Sequence, residues 1–174
     1  ELYRTLLMSI IFVVLMGTAL STYADTWTDP DTGYTWTYSI NGSEAEIYSV
    51  TNSAAVSPAP SGELIIPFEL GGAPLTVIGD MAFSRCFGIT SVTIPDSVKH
   101  IGKYAFFACS GMSSVVIPNS VTNIGNSAFS GCTGLTNITI PASVTSIESG
   151  AFYGCTALTS AVIGNGVPTL NTSC

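Results

Sequence analysis

Basic side chains are scarce in this chain. It has four Lys and Arg against eleven Asp and Glu, which gives a formal net charge of −7. Binding to a phosphate backbone depends on clustered basic side chains, so we expect no nucleic-acid partner. Charged residues of both signs make up only 9% of the chain, well below the roughly 25% of an average globular domain. The surface must therefore consist largely of Ser, Thr, Asn and Gly.

The one long apolar run stands at the start of the chain. It extends from Leu6 to Leu20, follows Arg4, and leads into small residues that end at Ala24. This order is typical of a secretory signal peptide, whereas a membrane-spanning helix needs about 20 apolar residues. We therefore predict a signal peptide over residues 1–24 and a secreted or cell-surface mature chain without a membrane span. An uncleaved anchor is the alternative.

The rest of the chain is dominated by a 23-residue repeat. Phenylalanines, cysteines, alanines and isoleucines each recur at this interval. The positions in phase are Phe83, Phe106, Phe129 and Phe152; Cys86, Cys109, Cys132 and Cys155; Ala82, Ala105, Ala128 and Ala151; Ile78, Ile101, Ile124 and Ile147; and Ile94, Ile117, Ile140 and Ile163. A fixed period of this length indicates a solenoid or array.

Each repeat contains one clear strand pattern. From Ile89 the alternation predicts a short strand whose apolar residues point inward, and Pro95 ends it because proline lacks an N–H. Val98 and Ile101 predict a second apolar wall opposite the strand. The next residues, "KYAFFAC" (103–109), predict one short helical turn. Burial within one repeat cannot offset the entropy of ordering its backbone, so the repeats must stack.

Four of the five cysteines belong to the repeating core pattern. Free cysteine behaves as a small apolar residue, and parallel side chains in a stack suit the dihedral angle of a disulfide poorly. We therefore predict buried thiols. Disulfides are the alternative, because exported proteins with an even set of cysteines often form them. A zinc site is less favoured, since no close pair such as C-x2-C occurs.

One motif carries a resemblance to a known family. From Cys132 to Cys155 the chain reads C-x2-L-x2-V-x-I-P-x2-V-x2-I-x3-A-F-x2-C, with Ile138 in the Val place. This resembles the 23-residue leucine-rich repeats of bacterial BspA-like surface antigens, and the match covers residues 61–174. The resemblance implies a mainly β, curved solenoid of about four repeats that is displayed outside the cell. It also implies adhesion, by binding host matrix proteins or other cells, and it supplies no catalytic residues.

Both ends of the repeat region depart from the pattern. Pro67 and Pro95 are further apart than Pro95 and Pro118, which predicts a five-residue insertion within "ELGGAPLTV". At the other end Gly164 replaces the proline, and we expect a truncated last repeat. Cys174 is out of phase with the other cysteines.

Residues 25–60 have a different pattern. Tyr34, Trp36, Tyr38 and Ile40 alternate, and Asn-Gly follows at positions 41 and 42, which is a strong hairpin signal. We predict a β-hairpin cap that lays its aromatic face on the first repeat. A sugar-binding aromatic platform is the alternative. The segment "SAAVSPAPSG" (53–62) is interpreted as a link.

Candidate chemical sites are few. Asp29, Asp31 and Gly33 resemble half of a calcium loop, but the remaining ligands are absent, so we predict a simple turn. His100, the only histidine, is expected to be solvated, and no nucleophile can be paired with it. The carboxylates do not recur in phase, so nothing supports a glycosidase pair. We predict no catalytic residue, cofactor or metal.

The outward strand positions make the candidate binding face. They are Ser91, Thr93, Ser114, Val116, Asn137, Thr139, Ser160 and Val162. This uncharged, hydroxyl-rich face either keeps the protein soluble or recognises a partner, as solenoid faces do. We predict adhesion to an extracellular protein or cell-surface ligand. The alternatives are a spacer that displays a further C-terminal domain, and a secreted polysaccharide-processing enzyme.

Overall fold

The computed structural model describes residues 24–49 and 54–166. The predicted signal peptide and Cys174 lie outside these residues, and the cleavage site therefore stays a prediction. Within the described ranges, no helix has the length and apolar character needed to cross a membrane.

Short strands form all the regular structure of the described chain. They are β1 (Asp25–Thr28), β2 (Thr35–Asn41), β3 (Glu44–Ile47), β4 (Val56–Ser57), β5 (Gly62–Ile65), β6 (Glu69–Leu70), β7 (Ala73–Ile78), β8 (Ile89–Thr93), β9 (His100–Ile101), β10 (Ser114–Val116), β11 (Asn123–Ile124), β12 (Asn137–Ile140), β13 (Ser146–Ile147) and β14 (Ser160–Ile163).

The strands build two walls of a solenoid. One wall has the order β1-β2-β3-β7-β9-β11-β13, and its pairs are parallel from β3 onward. The opposite wall contains the parallel strands β5, β8 and β10, followed by the parallel pair β12 and β14. We number the coils by this second wall: coil 1 begins with β5, coil 2 with β8, coil 3 with β10 and coil 4 with β12. The predicted mainly β solenoid of about four repeats is confirmed.

The repeating apolar residues fill the space between the walls. Val98 and Ile101 are fully buried opposite Ile89 and Val92, which confirms the two predicted walls. The phenylalanines stack from coil to coil, with ring centroids 5.1, 5.2 and 5.5 Å apart and nearly parallel planes. Such contacts join each coil only to its neighbours, as expected of a repeat protein.

The predicted helical turn at residues 103–109 is wrong. Tyr104 and Ala108 have φ values of 57° and 56°, in the left-handed region, which interrupts a right-handed helix. The N–H groups of Tyr104, Phe106 and Ala108 donate instead to carbonyls of coil 3. Each coil thus has a third side, which leads from its strand in the first wall to the start of the next coil and which we call the turn edge. In coil 2 the turn edge consists of residues 102–113.

The turn edge requires a close approach of backbones at Gly102. A Cβ atom there would lie 2.7 Å from the carbonyl carbon of Gly79, although φ at Gly102 is not positive. In coil 4 Glu148 takes this position, and its carboxylate accepts a hydrogen bond from the N–H of Asn126. Glycine at 102 is therefore favoured by the close backbone and not by a left-handed conformation, and Glu148 shows that coil 4 accommodates a side chain at this position.

The hairpin covers the first end of the stack. Strand β3 continues the first wall by pairing with β7, while Trp36 and Tyr38 are buried. Ile40, which we grouped with them, is 38% exposed. Asn41 pairs with Glu44, so the two turn residues are Gly42 and Ser43, one position later than predicted. A glycine with φ of 64° in the first central position suits this turn.

The insertion forms a small hairpin of its own. Strands β6 and β7 pair antiparallel around Gly71 and Gly72, both with positive φ, and Leu70 is buried.

The segment 54–61, which precedes β5 and which we interpreted as part of a link, is more than a connection. Strand β4 pairs with β2, and the N–H of Ala55 donates to the carbonyl of Ala82. These residues join the hairpin to the stack, and the domain boundaries that we assigned stay predictions.

Candidate binding face

Outward side chains of the second wall form two columns, because the strands pair in register. Ser91 lies opposite Ser114, and Asn137 opposite Ser160. Thr93 lies opposite Val116, and Thr139 opposite Val162. Paired strands are about 4.8 Å apart, so within each sheet a column presents one side chain per coil at that spacing. We call this surface the strand face. The described wall divides between β10 and β12, which belong to different sheets.

Coil 1 extends both columns by one residue. Glu63 pairs with Ser91 and Ile65 with Thr93 in the parallel ladder of β5 and β8. The sequence pattern did not reveal these two positions, because the insertion shifts coil 1 out of the repeat phase. The lengthened step from Pro67 to Pro95 is the signal from which they could have been found. Glu63 also gives one end of the face a negative charge, which the outward strand positions of coils 2 to 4 lack.

One column of the strand face, which we call the apolar column, alternates Ile or Val with Thr, and the other column is polar. Ile65, Val116 and Val162 are 67, 70 and 59% exposed, and Thr93 and Thr139 alternate with them. In the second column Ser114, Asn137 and Ser160 are exposed, while Ser91 is half-buried. All eight predicted residues therefore occupy the outward side of the strands, as predicted.

Hydroxyls beside the strands and hydroxyls on the strand face are used differently. The side chains of Ser113, Thr136 and Thr159, just before the strands, donate to the carbonyls one repeat earlier, at 3.0, 3.4 and 3.1 Å. These bonds fix neighbouring coils to each other. On the strand face of the described chain, no hydrogen bond involves the hydroxyls that point outward. They belong to Ser91, Thr93, Ser114, Thr139 and Ser160. They can bond to a partner or to water.

A shallow groove adjoins the strand face where β8 and β10 end. Its volume is about 470 Å³, and Thr93, Pro95, Asp96, Val116 and Asn119 contribute to its lining. A second cavity of about 440 Å³ lies at the end of the described stack, against Ile140, Phe152 and Ile163. Because its lining consists of core side chains of the last coils, it is the end surface of the core.

The four repeating cysteines are thiols, as predicted. Cys109, Cys132 and Cys155 each direct Sγ toward the carbonyl oxygen of the phenylalanine one coil earlier, at 3.1 to 3.2 Å. Burial raises the pKa of the Cys86 thiol to about 11 and that of Cys132 to about 12. These thiols stay protonated, so they are poor nucleophiles and poor metal ligands.

The remaining candidate residues occupy ordinary surface positions. His100 is exposed on β9. At Asp29 the carboxylate accepts hydrogen bonds from the Asp31 N–H and the Thr32 hydroxyl, and the Gly33 N–H donates to the Asp29 carbonyl, which closes the predicted simple turn. Among the residues that the structure describes, no group of three or more His, Cys, Asp or Glu is placed to hold a metal ion.

Comparison with known proteins gives a consistent result. A family model described as the BspA type leucine-rich repeat region matches residues 73–174 in six copies. No curated protein matches the chain. A leucine-rich repeat protein from Bacteroides capillosus is similar at 31% identity, over 75% of this chain and 93% of that one, with a TM-score of 0.62.

Two longer proteins are similar over part of their length. A leucine-rich cell surface protein from Faecalibacterium prausnitzii has 25% identity and a TM-score of 0.55, over 76% of this chain and 38% of that one. The pneumococcal vaccine antigen PcpA shares the fold at 19% identity and a TM-score of 0.59, over 82% of this chain and 39% of that one.

Proposed function

Because this chain belongs to the BspA-type leucine-rich repeat family, we propose that it is a secreted or cell-surface protein that binds an extracellular protein or another cell-surface ligand through its strand face. In this proposal the chain acts by adhesion and performs no catalysis. The similar protein from Faecalibacterium prausnitzii is itself described as a cell surface protein. The apolar run before Asp25 supports export of this chain as well.

The observation that carries the proposal is the set of outward hydroxyls without a partner in the described chain. Two of them, Thr93 and Thr139, alternate with exposed Ile65, Val116 and Val162 along parallel strands. A partner would gain apolar contact along one column and hydrogen bonds along both. Protein interfaces combine these two kinds of contact. The hydroxyls of Ser113 and Thr136 hold the coils together, so the binding groups would need little reorganisation.

The charge distribution favours recognition by shape and hydrogen bonding. Lys99 forms an ion pair with Glu44 at 2.6 Å on the other side of the solenoid. Arg85 and Lys103 belong to the turn edge. The strand face thus carries Glu63 as its one charged residue and would give little electrostatic steering. We expect binding that depends only weakly on salt.

A double substitution on β12 tests the strand face. Asn137→Lys with Thr139→Glu puts two charged side chains in place of a polar and a hydroxyl side chain that point outward. Asn123→Lys with Ser146→Glu is the matched control on the opposite wall, where these residues lie in register on β11 and β13. Adhesion to immobilised matrix proteins and to cells is measured, with circular dichroism as the check of folding.

The proposal expects the β12 pair to lose adhesion and the control pair to keep it. Equal adhesion of the two variants would refute the strand face as the binding surface. Absence of adhesion by the unsubstituted protein to every matrix protein and cell type would favour the alternative of a spacer that displays another domain.

A further inference from the structure

The turn edge contains backbone strain that is unevenly distributed among the coils. Each coil has two left-handed positions, and coil 4 fills both with glycine, at Gly150 and Gly154. In coils 1 and 2 the same positions hold Met81, Arg85, Tyr104 and Ala108, with φ between 56° and 62°. A left-handed conformation costs an L-residue about 1–2 kcal/mol, and such strain is concentrated at functional sites. Met81, Arg85 and Tyr104 therefore occupy positions at which the local backbone favours glycine.

One of these strained coils, coil 2, places an aromatic pair at the surface. The rings of Tyr104 and Phe107 meet edge to face, with centroids 5.5 Å apart and planes at 82°. Both side chains are half-buried, and the ammonium of Lys103 lies 5.2 Å from the centroid of the Tyr104 ring. Ser84 and Ser130 occupy the position of Phe107 in the coils on either side. The equivalent side chains next to Phe107 are therefore small.

The same surface carries two basic side chains without an ion-pair partner, although the carboxylate of Asp80 accepts a hydrogen bond from the backbone N–H of Lys103 at 2.7 Å. Arg85 is exposed in coil 1, and its backbone N–H donates to the backbone carbonyl of Phe107, so the two residues are neighbours in adjacent coils. Among the Lys and Arg residues that the structure describes, only Lys99 forms an ion pair. Arg85 and Lys103 are thus two unpaired cations in a chain whose net charge is −7. We call Arg85, Lys103, Tyr104 and Phe107 the turn-edge patch.

These four side chains define the chemistry of a ligand. Guanidinium groups bind carboxylates and sulfates through paired hydrogen bonds, and aromatic rings offer apolar area to the C–H faces of sugars. Nucleic acid carries a charge about every 1.7 Å and needs several cations, and a protein with net charge −7 repels so dense a polyanion. A glycan with one acidic group on each sugar or on alternate sugars has a much lower charge density.

We propose that the turn-edge patch binds an acidic polysaccharide, with Arg85 and Lys103 contacting its carboxylate or sulfate groups and with Tyr104 and Phe107 contacting its sugar rings. This site is separate from the strand face, and the protein could hold a protein partner and a glycan at the same time.

Calorimetric titration of the full chain with hyaluronan and chondroitin sulfate oligosaccharides tests the patch. We expect at least one of them to bind, and binding to weaken as salt is added. An uncharged chitin oligosaccharide of the same length should bind at least about tenfold more weakly, because it lacks the groups that the two cations bind. Vesicles that contain an anionic phospholipid should not bind at the same salt concentration.

Two variants and one control distinguish a loss of the patch from a loss of the fold. Tyr104→Gly removes the ring at a left-handed position where glycine suits the backbone, so the fold should be kept while glycan affinity falls about tenfold. Ser127→Gly makes the same backbone change one coil later and should leave affinity unchanged. Arg85→Gln with Lys103→Gln should abolish the salt dependence together with most of the binding.

Several results would overturn the assignment. They are the absence of binding to both acidic oligosaccharides, equal binding of the uncharged oligosaccharide, equal binding of the anionic vesicles, and wild-type affinity in either the Tyr104→Gly variant or the double Gln variant.

Discussion

The indole of Trp36 lies edge-on to the ring of Phe83, with centroids 6.3 Å apart and planes at 78°. Phe83 is the first ring of the phenylalanine stack. The hairpin therefore covers the end of the stack with the Trp36 indole, whose plane is nearly perpendicular to that of the Phe83 ring. Both residues are at most 1% exposed. This contact, together with the β3–β7 pairing, joins the cap to the repeats.

Trp36→Ala should lower the free energy of unfolding by about 3–5 kcal/mol, the usual range for a buried large aromatic residue. The loss should reach coil 1 first, since coils interact with their nearest neighbours. Denaturant unfolding and hydrogen exchange would measure both effects. Phe87→Ala is the control, because Phe87 is 60% exposed, and it should change stability by less than about 0.5 kcal/mol. Similar losses of stability in the two variants would contradict the role of Trp36 in joining the hairpin cap to the repeats.

Strain on the turn edge predicts a stabilising substitution. Ala108 has a φ of 56°, and the two following coils place Gly131 and Gly154 at its position. Relief of left-handed strain, about 1–2 kcal/mol, outweighs the entropic cost of glycine, about 0.5–1 kcal/mol. Ala108→Gly should therefore raise the free energy of unfolding by up to about 1 kcal/mol. In contrast Ala105→Gly, at a fully buried alanine, should destabilise the protein. A loss of stability in both variants would rule out this interpretation.

The sequence predicted which residues lie over one another in the stack better than it predicted the backbone conformation of the turns. Phe83, Phe106 and Phe129 recur in phase because a stack places equivalent residues over one another, and this required no knowledge of the turn geometry. The segment 103–109 contains good helix formers, and its left-handed residues result from hydrogen bonds to the next coil, which one repeat alone does not reveal. Ile65 was missed because the insertion moves it out of phase.

The buried thiols make stability depend on pH in the alkaline range. A thiol whose pKa is raised in the fold stabilises the protein below the ordinary thiol pKa of about 8.5. That contribution is lost as pH rises toward the folded-state pKa of about 11 for Cys86 and about 12 for Cys132. Thermal unfolding should therefore shift to lower temperature above about pH 9, and Cys132→Ala should reduce the shift.

Alkylation provides an independent measurement of the same thiols. At pH 8 in the native protein, Cys109 and Cys132 should react far more slowly than after denaturation. In denaturant without reductant, mass spectrometry should find Cys86, Cys109, Cys132 and Cys155 all modified. Recovery of a bridge between Cys109 and Cys132 would disprove the thiol assignment.

Recognition through the strand face is tested most directly at Val116, which is 70% exposed in the centre of the apolar column. Val116→Asp leaves the buried side of β10 unchanged, and Asn123→Asp on the opposite wall is its control. For the matrix protein that binds the unsubstituted chain best, surface plasmon resonance would compare the three affinities. We predict that Val116→Asp weakens binding by at least about tenfold, as expected for a central contact, and that Asn123→Asp changes it by less than about twofold. Unchanged affinity in Val116→Asp, or a larger loss in Asn123→Asp, would contradict the assignment of the strand face as the binding surface.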